Sequence, residues 1–306
     1  MVGSKRVTEM IEGDEQTLQL MEFIVSGGHF GINVAKVSEI MKYSQYPITP
    51  MPNSNPFVEG IFRPRTETMT VINLAAYMGL PPSPDEERDI LIITKLNNME
   101  TAFHVHGVEA INSVRLSDIE KPDATIYGGE EGMATGIAKH GEKLITIVDF
   151  EKILIDISPN MGFSPSDVDK LGMRNRSHKP ILVAEDSPLL ERLIISSLEK
   201  AGYVNIICTS NGQEAWNLLE SYKDSGKPLE EHVCAVITDI EMPLMDGHRL
   251  LKLIKDDHTL RKLPVLVFSS LISDDMRTIG NKLGAIGNVS KPEIANLVTI
   301  LDQHIL

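Results

Sequence analysis

Four short runs in the last third of the chain constrain its fold more than any other feature. They span residues 181–184, 236–238, 265–268 and 288–290, and each is followed by a polar or charged residue. Short apolar runs between turn signals are typical of buried strands in a parallel sheet, and such sheets bind ligands at the carboxyl ends of their strands. We therefore expect the residues that follow these runs to meet at one edge: Glu185, Asp186, Asp239, Ser269 and Lys291.

That predicted edge has the chemistry of a site for a divalent metal and a phosphoryl group. Mg²⁺ prefers oxygen ligands and commonly takes one or two protein carboxylates; Asp186 and Asp239 are suited to bind it, and Glu185 to hold its waters. An aspartate can also attack a phosphoryl donor, and a cation and a hydroxyl group, here Lys291 and Ser269, stabilise the developing charge. Singly, each residue is more typical of a helix cap, a strand end or a solvated lysine. Jointly, their order at four strand ends favours the functional interpretation.

After Pro180 the sequence predicts strands that alternate with helices. Ser187 and Pro188 form a helix start, an N-cap followed by proline at the first helical position. Further helical patterns cover residues 213–219, 248–254, 274–283 and 293–303. With a further apolar run at residues 204–208, five strands alternate with five helices, which predicts a doubly wound, flavodoxin-like α/β domain with a parallel sheet.

The first half of the chain has an all-β pattern instead. Short β-branched or aromatic runs, separated by turn residues, occur at residues 18–25, 30–34, 71–74, 90–94, 101–108 and 143–148. Their spacing is barrel-like. Gly60-Ile61 and Gly136-Ile137 each precede a similar apolar run, which suggests two similar subdomains, with chance similarity as the alternative.

Proline, glycine and serine break the periodicity after residue 157 and indicate a domain junction. We therefore predict a β domain over residues 1–160, a linker over residues 161–178 and an α/β domain over residues 179–306.

Composition narrows the possible partners and the compartment. The net charge of −14 disfavours nucleic acid as a partner, because binding of a phosphate backbone needs a basic face. The two cysteines lie in apolar runs without metal-ligand spacing, so we expect buried free thiols and a reducing compartment. We see no signal peptide and no apolar run long enough to span a membrane. The expected location is therefore cytoplasmic, with only indirect contact with a membrane.

The C-terminal segment resembles the receiver domains of two-component signalling. The resemblance is carried by Glu185-Asp186, by Asp239 in the segment 239–247, by Ser269 and by Lys291-Pro292. It implies that Asp239 accepts a phosphoryl group from a kinase phosphohistidine, that Ser269 contacts this group and that Lys291 pairs with it.

The same resemblance implies a magnesium site and two departures from the common receiver pattern. Asp186, Asp239 and the backbone carbonyl of Glu241 would bind Mg²⁺, with Glu185 beside them. Asn288 stands where many receivers have a switching aromatic, and Glu241 stands at a position that tunes hydrolysis of the aspartyl phosphate. The bond before the matching proline is usually cis in that family.

The first half resembles the CheW-type coupling domain, over about residues 16–157. The resemblance rests on residues 30–40, 58–65, 71–74 and 136–154. It implies two five-stranded, SH3-like barrels that bridge chemoreceptor tips and the chemotaxis histidine kinase. Arg65 falls near an arginine of that family and is a candidate for partner binding, with a solvated arginine as the alternative.

A CheW-like domain followed by a receiver is the arrangement of CheV-type chemotaxis proteins. The expected function is coupling of chemoreceptors to a CheA-type histidine kinase within receptor arrays, regulated by phosphorylation of Asp239. The alternatives are a phosphate sink for the kinase, or a response regulator with an unrelated β-rich partner-binding domain.

An enzyme is not expected. Phosphatases with an aspartate nucleophile generally have a second aspartate two positions later, where this chain has Glu241. We find no basic helix-turn-helix segment of a transcriptional regulator, and no ATP lid of a histidine kinase.

Overall fold

The computed structural model describes residues 17–96, 99–122, 132–158, 165–172, 175–272 and 274–305. These residues form two compact units, which we call the N-terminal unit (residues 17–158) and the receiver unit (residues 165–305). Parts of the predicted linker, residues 161–164 and 173–174, lie outside the described residues. None of the helices in the described ranges is long and apolar enough to cross a membrane.

The N-terminal unit consists of eleven described strands and two short helices. The strands are β1 (Thr17–Val25), β2 (Gly28–Asn33), β3 (Val37–Lys42), β4 (Val58–Phe62), β5 (Met69–Asn73), β6 (Ile90–Leu96), β7 (Met99–Val105), β8 (Gly107–Arg115), β9 (Ile119–Glu120), β10 (Ala134–His140) and β11 (Lys143–Val148). The helices are α1 (Leu74–Tyr77) and α2 (Phe150–Ile157).

These strands form two sheets with the same internal order. The first sheet runs β8-β1-β2-β11-β10-β9 and the second runs β3-β6-β7-β5-β4. In each sheet a parallel pair joins two antiparallel parts: β2 with β11 in the first, and β7 with β5 in the second. The short β9 makes the first sheet six-stranded, not five-stranded as expected; at the corresponding place in the second sheet, Thr49 forms only an isolated bridge to Ile61 of β4. The predicted β domain with two similar subdomains is confirmed.

The two glycines of the sequence echo occupy equivalent places in these sheets. The hairpins β4-β5 and β10-β11 both have a register shift next to the glycine, Gly60 in one and Gly136 in the other. A helix follows each hairpin, capped by the side chain of Asn73 for α1 and of Asp149 for α2. At Gly60, where φ is +153°, a Cβ would lie 2.2 Å from the carbonyl oxygen of Thr49, so this bulge requires glycine.

Helix α2 contributes to the core between the two sheets. Phe150 is fully buried, and its ring contacts Phe23 of β1 at 6.0 Å and Phe103 of β7 at 4.6 Å, both edge to face. Edge-to-face pairs at these centroid distances are favourable, so one aromatic side chain links both sheets.

The receiver unit has the predicted doubly wound fold. Its strands are β12 (Ile181–Ala184), β13 (Ile206–Thr209), β14 (Ala235–Thr238), β15 (Val265–Ser269) and β16 (Gly287–Ser290). Its helices are α3 (Pro188–Lys200), α4 (Gly212–Lys223), α5 (Gly247–Asp256), α6 (Asp274–Leu283) and α7 (Ile294–Ile305). The strand order is β13-β12-β14-β15-β16 and every pair is parallel. Cys208 and Cys234 are free thiols, as expected, but each is only partly buried, where the sequence predicted buried thiols.

Part of the predicted linker is structured. Residues Pro165–Leu171, which we call the strap, form a 3-10 helix that packs against α3 and α7. Val168 in the strap is only 2% exposed. The strap therefore belongs to the receiver unit.

Candidate functional site

The carboxyl edge of the receiver sheet carries the predicted site residues. Glu185 directly follows β12, Asp239 directly follows β14 and Lys291 directly follows β16, while Ser269 is the last residue of β15. The parallel register aligns these ends, since Ala184 pairs with Thr238 and Ser269 with Ser290. Four strand ends that are far apart in sequence thus meet, as the pattern of apolar runs predicted.

Lys291 binds the two buried carboxylates of this edge. Its Nζ lies 2.7 Å from Oδ2 of Asp239 and 3.1 Å from each carboxylate oxygen of Glu185. Lys291 is 1% exposed, Glu185 2% and Asp239 5%. A buried charge is tolerated only when it is paired and hydrogen-bonded, so these contacts fix the lysine. The other oxygen of Asp239, Oδ1, accepts a hydrogen bond from the backbone N–H of Ile240 at 2.6 Å.

A third carboxylate completes an acidic cluster. Oxygen atoms of Glu185, Asp186 and Asp239 lie within 4.8 Å of one another, and Asp186 is partly exposed. The donor set consists of oxygen atoms from three carboxylates. This is the ligand chemistry that a hard divalent cation such as Mg²⁺ prefers. The residues of the cluster therefore fit a divalent cation.

Ser269 and Glu241 complete the set of predicted residues around this edge. Ser269 is 1% exposed; its hydroxyl accepts from the N–H of Leu271 at 3.3 Å, and its carbonyl accepts from the N–H of Lys291 at 3.2 Å. Glu241 lies two residues after Asp239 and is partly buried.

Gly247 is a residue of this site that we did not single out from the sequence. A Cβ at Gly247 would lie 1.8 Å from the carbonyl oxygen of Asp239, and its N–H donates to the carbonyl of Ile240 at 2.9 Å. Any side chain would therefore push the segment that carries Asp239 out of place. The Asp246-Gly247 dipeptide, a common turn signal, was the available indication.

Asn288 faces helix α6. Its Nδ2 donates to Oδ1 of Asn281 at 2.8 Å, and its side chain is so close to Gly280 that a Cβ there would lie 1.9 Å from Oδ1 of Asn288. Its carbonyl accepts from Arg277 at 3.2 Å. An amide pair thus links β16 to α6 where many receivers have an aromatic. The Lys291–Pro292 bond is trans, unlike the cis bond usual in that family.

Arg65 is not part of this cluster and belongs to the N-terminal unit. It lies between β4 and β5, its side chain is 74% exposed, and its Nη2 lies 2.8 Å from Oε1 of Glu39 on β3. Its predicted role in partner binding stays a prediction.

The N-terminal unit contains a buried polar network centred on His104. The ring of His104 contacts Oε1 of Glu59 through Nδ1 and Oδ2 of Asp89 through Nε2, each at 2.8 Å. His104 is 5% exposed and stacks on Tyr43 with centroids 3.9 Å apart. Asn73 donates to the same oxygen of Glu59 at 2.6 Å. His104 therefore packs inside this unit with both ring nitrogens engaged by carboxylates.

Burial acts to lower the pKa of His104, but hydrogen bonds and charges from Glu59 and Asp89 outweigh it and raise that pKa above its ordinary value. Burial acts to raise the pKa of Glu59, but His104, Asn73 and Tyr43 outweigh it and lower that pKa. The network is therefore most stable with a protonated imidazole between carboxylates.

A second group of possible metal ligands, Glu22, His29 and Glu109, lies on the first sheet. There the ammonium of Lys143 lies 2.7 Å from Oε2 of Glu109 and 3.3 Å from Oε1 of Glu22, while His29 lies 2.7 Å from Glu22. The ammonium of Lys143 already supplies positive charge to both carboxylates, so we assign no metal there.

Comparison with known proteins agrees with both units. The model of the CheW-like domain matches residues 19–158, and that of the response regulator receiver domain matches residues 181–302. The chain is 27% identical over 286 residues to chemotaxis protein CheV3 of Helicobacter pylori, covering 90% of each protein. It is 29% identical over 293 residues to CheV2 of the same organism, covering 90% of this chain and 89% of the relative.

Among solved structures, the scaffolding protein TtCheW of Thermoanaerobacter tengcongensis is similar to 44% of this chain over 89% of its own length, with 23% identity and a TM-score of 0.39. The two domain matches follow each other in the order of the two units, and the similarity to both CheV proteins extends over 90% of the chain. The chain therefore contains a CheW-like domain followed by a response regulator receiver domain, and over about 90% of its length it is similar to CheV-type chemotaxis proteins.

Proposed function

We propose that this protein couples chemoreceptors to the chemotaxis histidine kinase through its CheW-like domain, and that phosphorylation of Asp239 regulates the coupling. The observation that carries the proposal is the contact of Lys291 with both Asp239 and Glu185 at the carboxyl edge of the receiver sheet. In this chain the cluster is joined to a CheW-like domain. Coupling would place the protein in receptor arrays, where it contacts the membrane only through its partners.

The proposed chemistry is one phosphoryl transfer per chain and not turnover. An oxygen of Asp239 attacks the phosphorus of a kinase phosphohistidine in line, so an O–P bond forms while the P–N bond breaks. The imidazole leaves with the bonding electron pair and takes a proton from solvent. Lys291, already 2.7 Å from the Asp239 carboxylate, pairs with the phosphoryl oxygens, and the hydroxyl of Ser269 donates to them.

We infer that Mg²⁺ is the divalent cation of this site. Asp186, Asp239 and the backbone carbonyl of Glu241 would hold it, with Glu185 binding its waters, and when bound it would neutralise charge on the transferring phosphoryl group. The support is the donor set, in which oxygen atoms of three carboxylates lie within 4.8 Å of one another.

Phosphotransfer from radiolabelled phosphorylated kinase tests the role of Asp239. We expect label on the wild type in the presence of Mg²⁺ and none on Asp239→Asn. Asp246→Asn is the matched control, because Asp246 caps α5 by accepting from the N–H of Arg249 at 2.7 Å and asparagine can keep that cap. Label on Asp239→Asn equal to that on the wild type would exclude Asp239 as the acceptor.

Co-sedimentation with receptor-containing membranes and kinase tests the coupling. We expect the protein to join the pellet, and to do so to a different extent after treatment with beryllofluoride and Mg²⁺. Arg65→Ala should reduce binding, while Arg88→Ala, at a similarly exposed arginine paired with Asp85, should not. If the protein stays in the supernatant in both states, the coupling proposal is wrong.

A further inference from the structure

The strap is held on the receiver unit by an apolar contact and an ion pair. Val168 is 2% exposed although its neighbours in the sequence are polar, and the strap packs against both α3 and α7. Nζ of Lys200 at the end of α3 lies 2.7 Å from Oδ2 of Asp169. Burial of a valine removes apolar surface from water and favours docking.

Ser177, between the strap and β12, is also bound to the receiver unit. The N–H of Ser177 donates to the carbonyl of Gly202 at 2.8 Å, and Ser177 forms a parallel bridge with Tyr203. Tyr203 is 1% exposed and its hydroxyl donates to Asp302 of α7 at 2.7 Å. Ser177, which precedes β12, is therefore tied to the end of α3 and, through Tyr203, to α7.

Both helices under the strap begin at the phosphoryl site. Helix α3 begins at Pro188, two residues after Asp186, and its cap Ser187 donates its N–H to Oε1 of Glu185 at 3.3 Å. Helix α7 begins at Ile294, three residues after Lys291. Helices α3 and α7 also contact each other. Because helices move as rigid elements, a shift at their first residues is carried to the surface that holds the strap.

We propose that the strap is the output contact of the receiver unit, and that phosphorylation of Asp239 weakens its docking on α3 and α7. This proposal rests on the proposed function, because it requires that Asp239 accepts a phosphoryl group. It assigns the connection between the two domains a regulated role, where the sequence predicted only a linker.

The bonds of Lys291 give the direction of the effect. In the structure the strap is docked while Lys291 binds Asp239 and Glu185, the arrangement of an unmodified aspartate. Pairing of Lys291 with a phosphoryl group exchanges these bonds at the start of α7, and cation binding engages Asp186 at the start of α3. The surface of α3 and α7 binds the strap while Lys291 contacts Asp239 and Glu185. After Lys291 has moved to a phosphoryl group, we expect this surface to bind the strap less well.

Hydrogen exchange measured by mass spectrometry on the full chain tests the proposal. With beryllofluoride and Mg²⁺, a peptide covering residues 165–172 should exchange about 5-fold faster or more, the lower end of typical coupling between sites. Asp239→Asn should show no such change. Unchanged or slower exchange of this peptide, while beryllofluoride binds, overturns the proposal.

Docking of the strap and binding of beryllofluoride are thermodynamically linked under this proposal, which provides a second test. A strap that is undocked by mutation should raise the affinity for beryllofluoride and Mg²⁺ by the same factor by which these ligands weaken docking. We expect tighter binding for Val168→Asp, a smaller gain for Val168→Ala and no change for Lys170→Ala, a control within the strap whose side chain is 76% exposed.

Two results of that titration would count against the inference in different ways. Binding of beryllofluoride to Val168→Asp or Val168→Ala at or below the wild-type affinity would overturn the strap proposal alone. Failure of the wild type to bind beryllofluoride in the presence of Mg²⁺ would overturn the proposed function, and the strap proposal with it.

Discussion

Lys291 is the residue on which the receiver site depends most. It is buried between Asp239 and Glu185, so its removal leaves two buried carboxylates without their ammonium partner. Burial of an uncompensated charge is strongly unfavourable, whereas loss of an exposed lysine costs little.

We expect Lys291→Met to lower the free energy of unfolding of the receiver unit by about 3–5 kcal/mol. Urea unfolding without Mg²⁺, followed by fluorescence, measures this, because the single tryptophan of the chain, Trp216, lies in α4. Addition of Glu185→Gln should restore part of the loss. Lys282→Met, at an exposed lysine, is the control, and equal losses for the two lysine variants would contradict the argument.

Gly280 provides a residue-scale test of the amide pair that links β16 to α6. Replacement of a helical glycine by alanine normally stabilises a protein by about 1 kcal/mol. Here the added methyl group would lie 1.9 Å from Oδ1 of Asn288, so Gly280→Ala should destabilise the receiver unit instead. In an Asn288→Ala background the same substitution should become stabilising. Trp216 fluorescence in urea checks both signs, and stabilisation by Gly280→Ala alone would show that Asn288 does not occupy this space.

At the scale of elements, the His104 network connects β4, β7 and the segment before β6 through Glu59, His104 and Asp89. The raised pKa of His104 means that its contribution to stability is complete below its unfolded value of about 6.5 and is lost as pH rises through the higher folded value. The lowered pKa of Glu59 acts in the opposite sense, since its contribution is lost as pH falls through the lower folded value.

We therefore expect the thermal stability of the N-terminal unit to fall as pH increases above 6.5, the unfolded pKa of histidine. Near-ultraviolet circular dichroism during heating, at a series of pH values up to about 9, measures it. His104→Gln should be less stable and should show a weaker dependence on pH in this range. A wild-type profile as flat as that of the variant would show that His104 is not held protonated.

One predicted strand is wrong, because the chain passes from the second sheet to the first within it. The β-branched and aromatic residues of 101–108 predict one strand. In the structure β7 ends at Val105 and β8, which begins at Gly107, pairs with β1 of the other sheet. His106 makes the transition, with its N–H donating to the carbonyl of Ile24 at 2.9 Å. A change of partner strand leaves no mark on local residue patterns.

On the scale of the whole molecule, the site was predictable wherever it depends on strand ends. Glu185, Asp239 and Lys291 each follow a buried parallel strand, and parallel pairing brings such positions together. The contact of Asn288 with Asn281 was not predictable, because it depends on how α6 is rotated against the sheet. The strap was not predictable either, because one valine in a polar segment does not indicate a docked helix.

The arrangement of the two sheets also has a consequence for synthesis. All strands of the second sheet, β3 to β7, come from the continuous stretch of chain between Val37 and Val105. The first sheet combines β1 and β2 with strands that lie beyond Gly107. On the ribosome, the second sheet can therefore be complete while β1 and β2 still await their partners.

We expect folding to follow that order, because pairing of distant segments is slower than pairing within a continuous stretch. Pulsed hydrogen exchange during refolding should protect amides of β6 and β7 before those of β1 and β11. Simultaneous protection of both sheets would show that neither forms without the other. If folding follows this order, β1 and β2 expose unpaired backbone N–H and C=O groups until the later strands of the first sheet have been synthesised. During that interval the nascent chain is most prone to pair with the wrong strand.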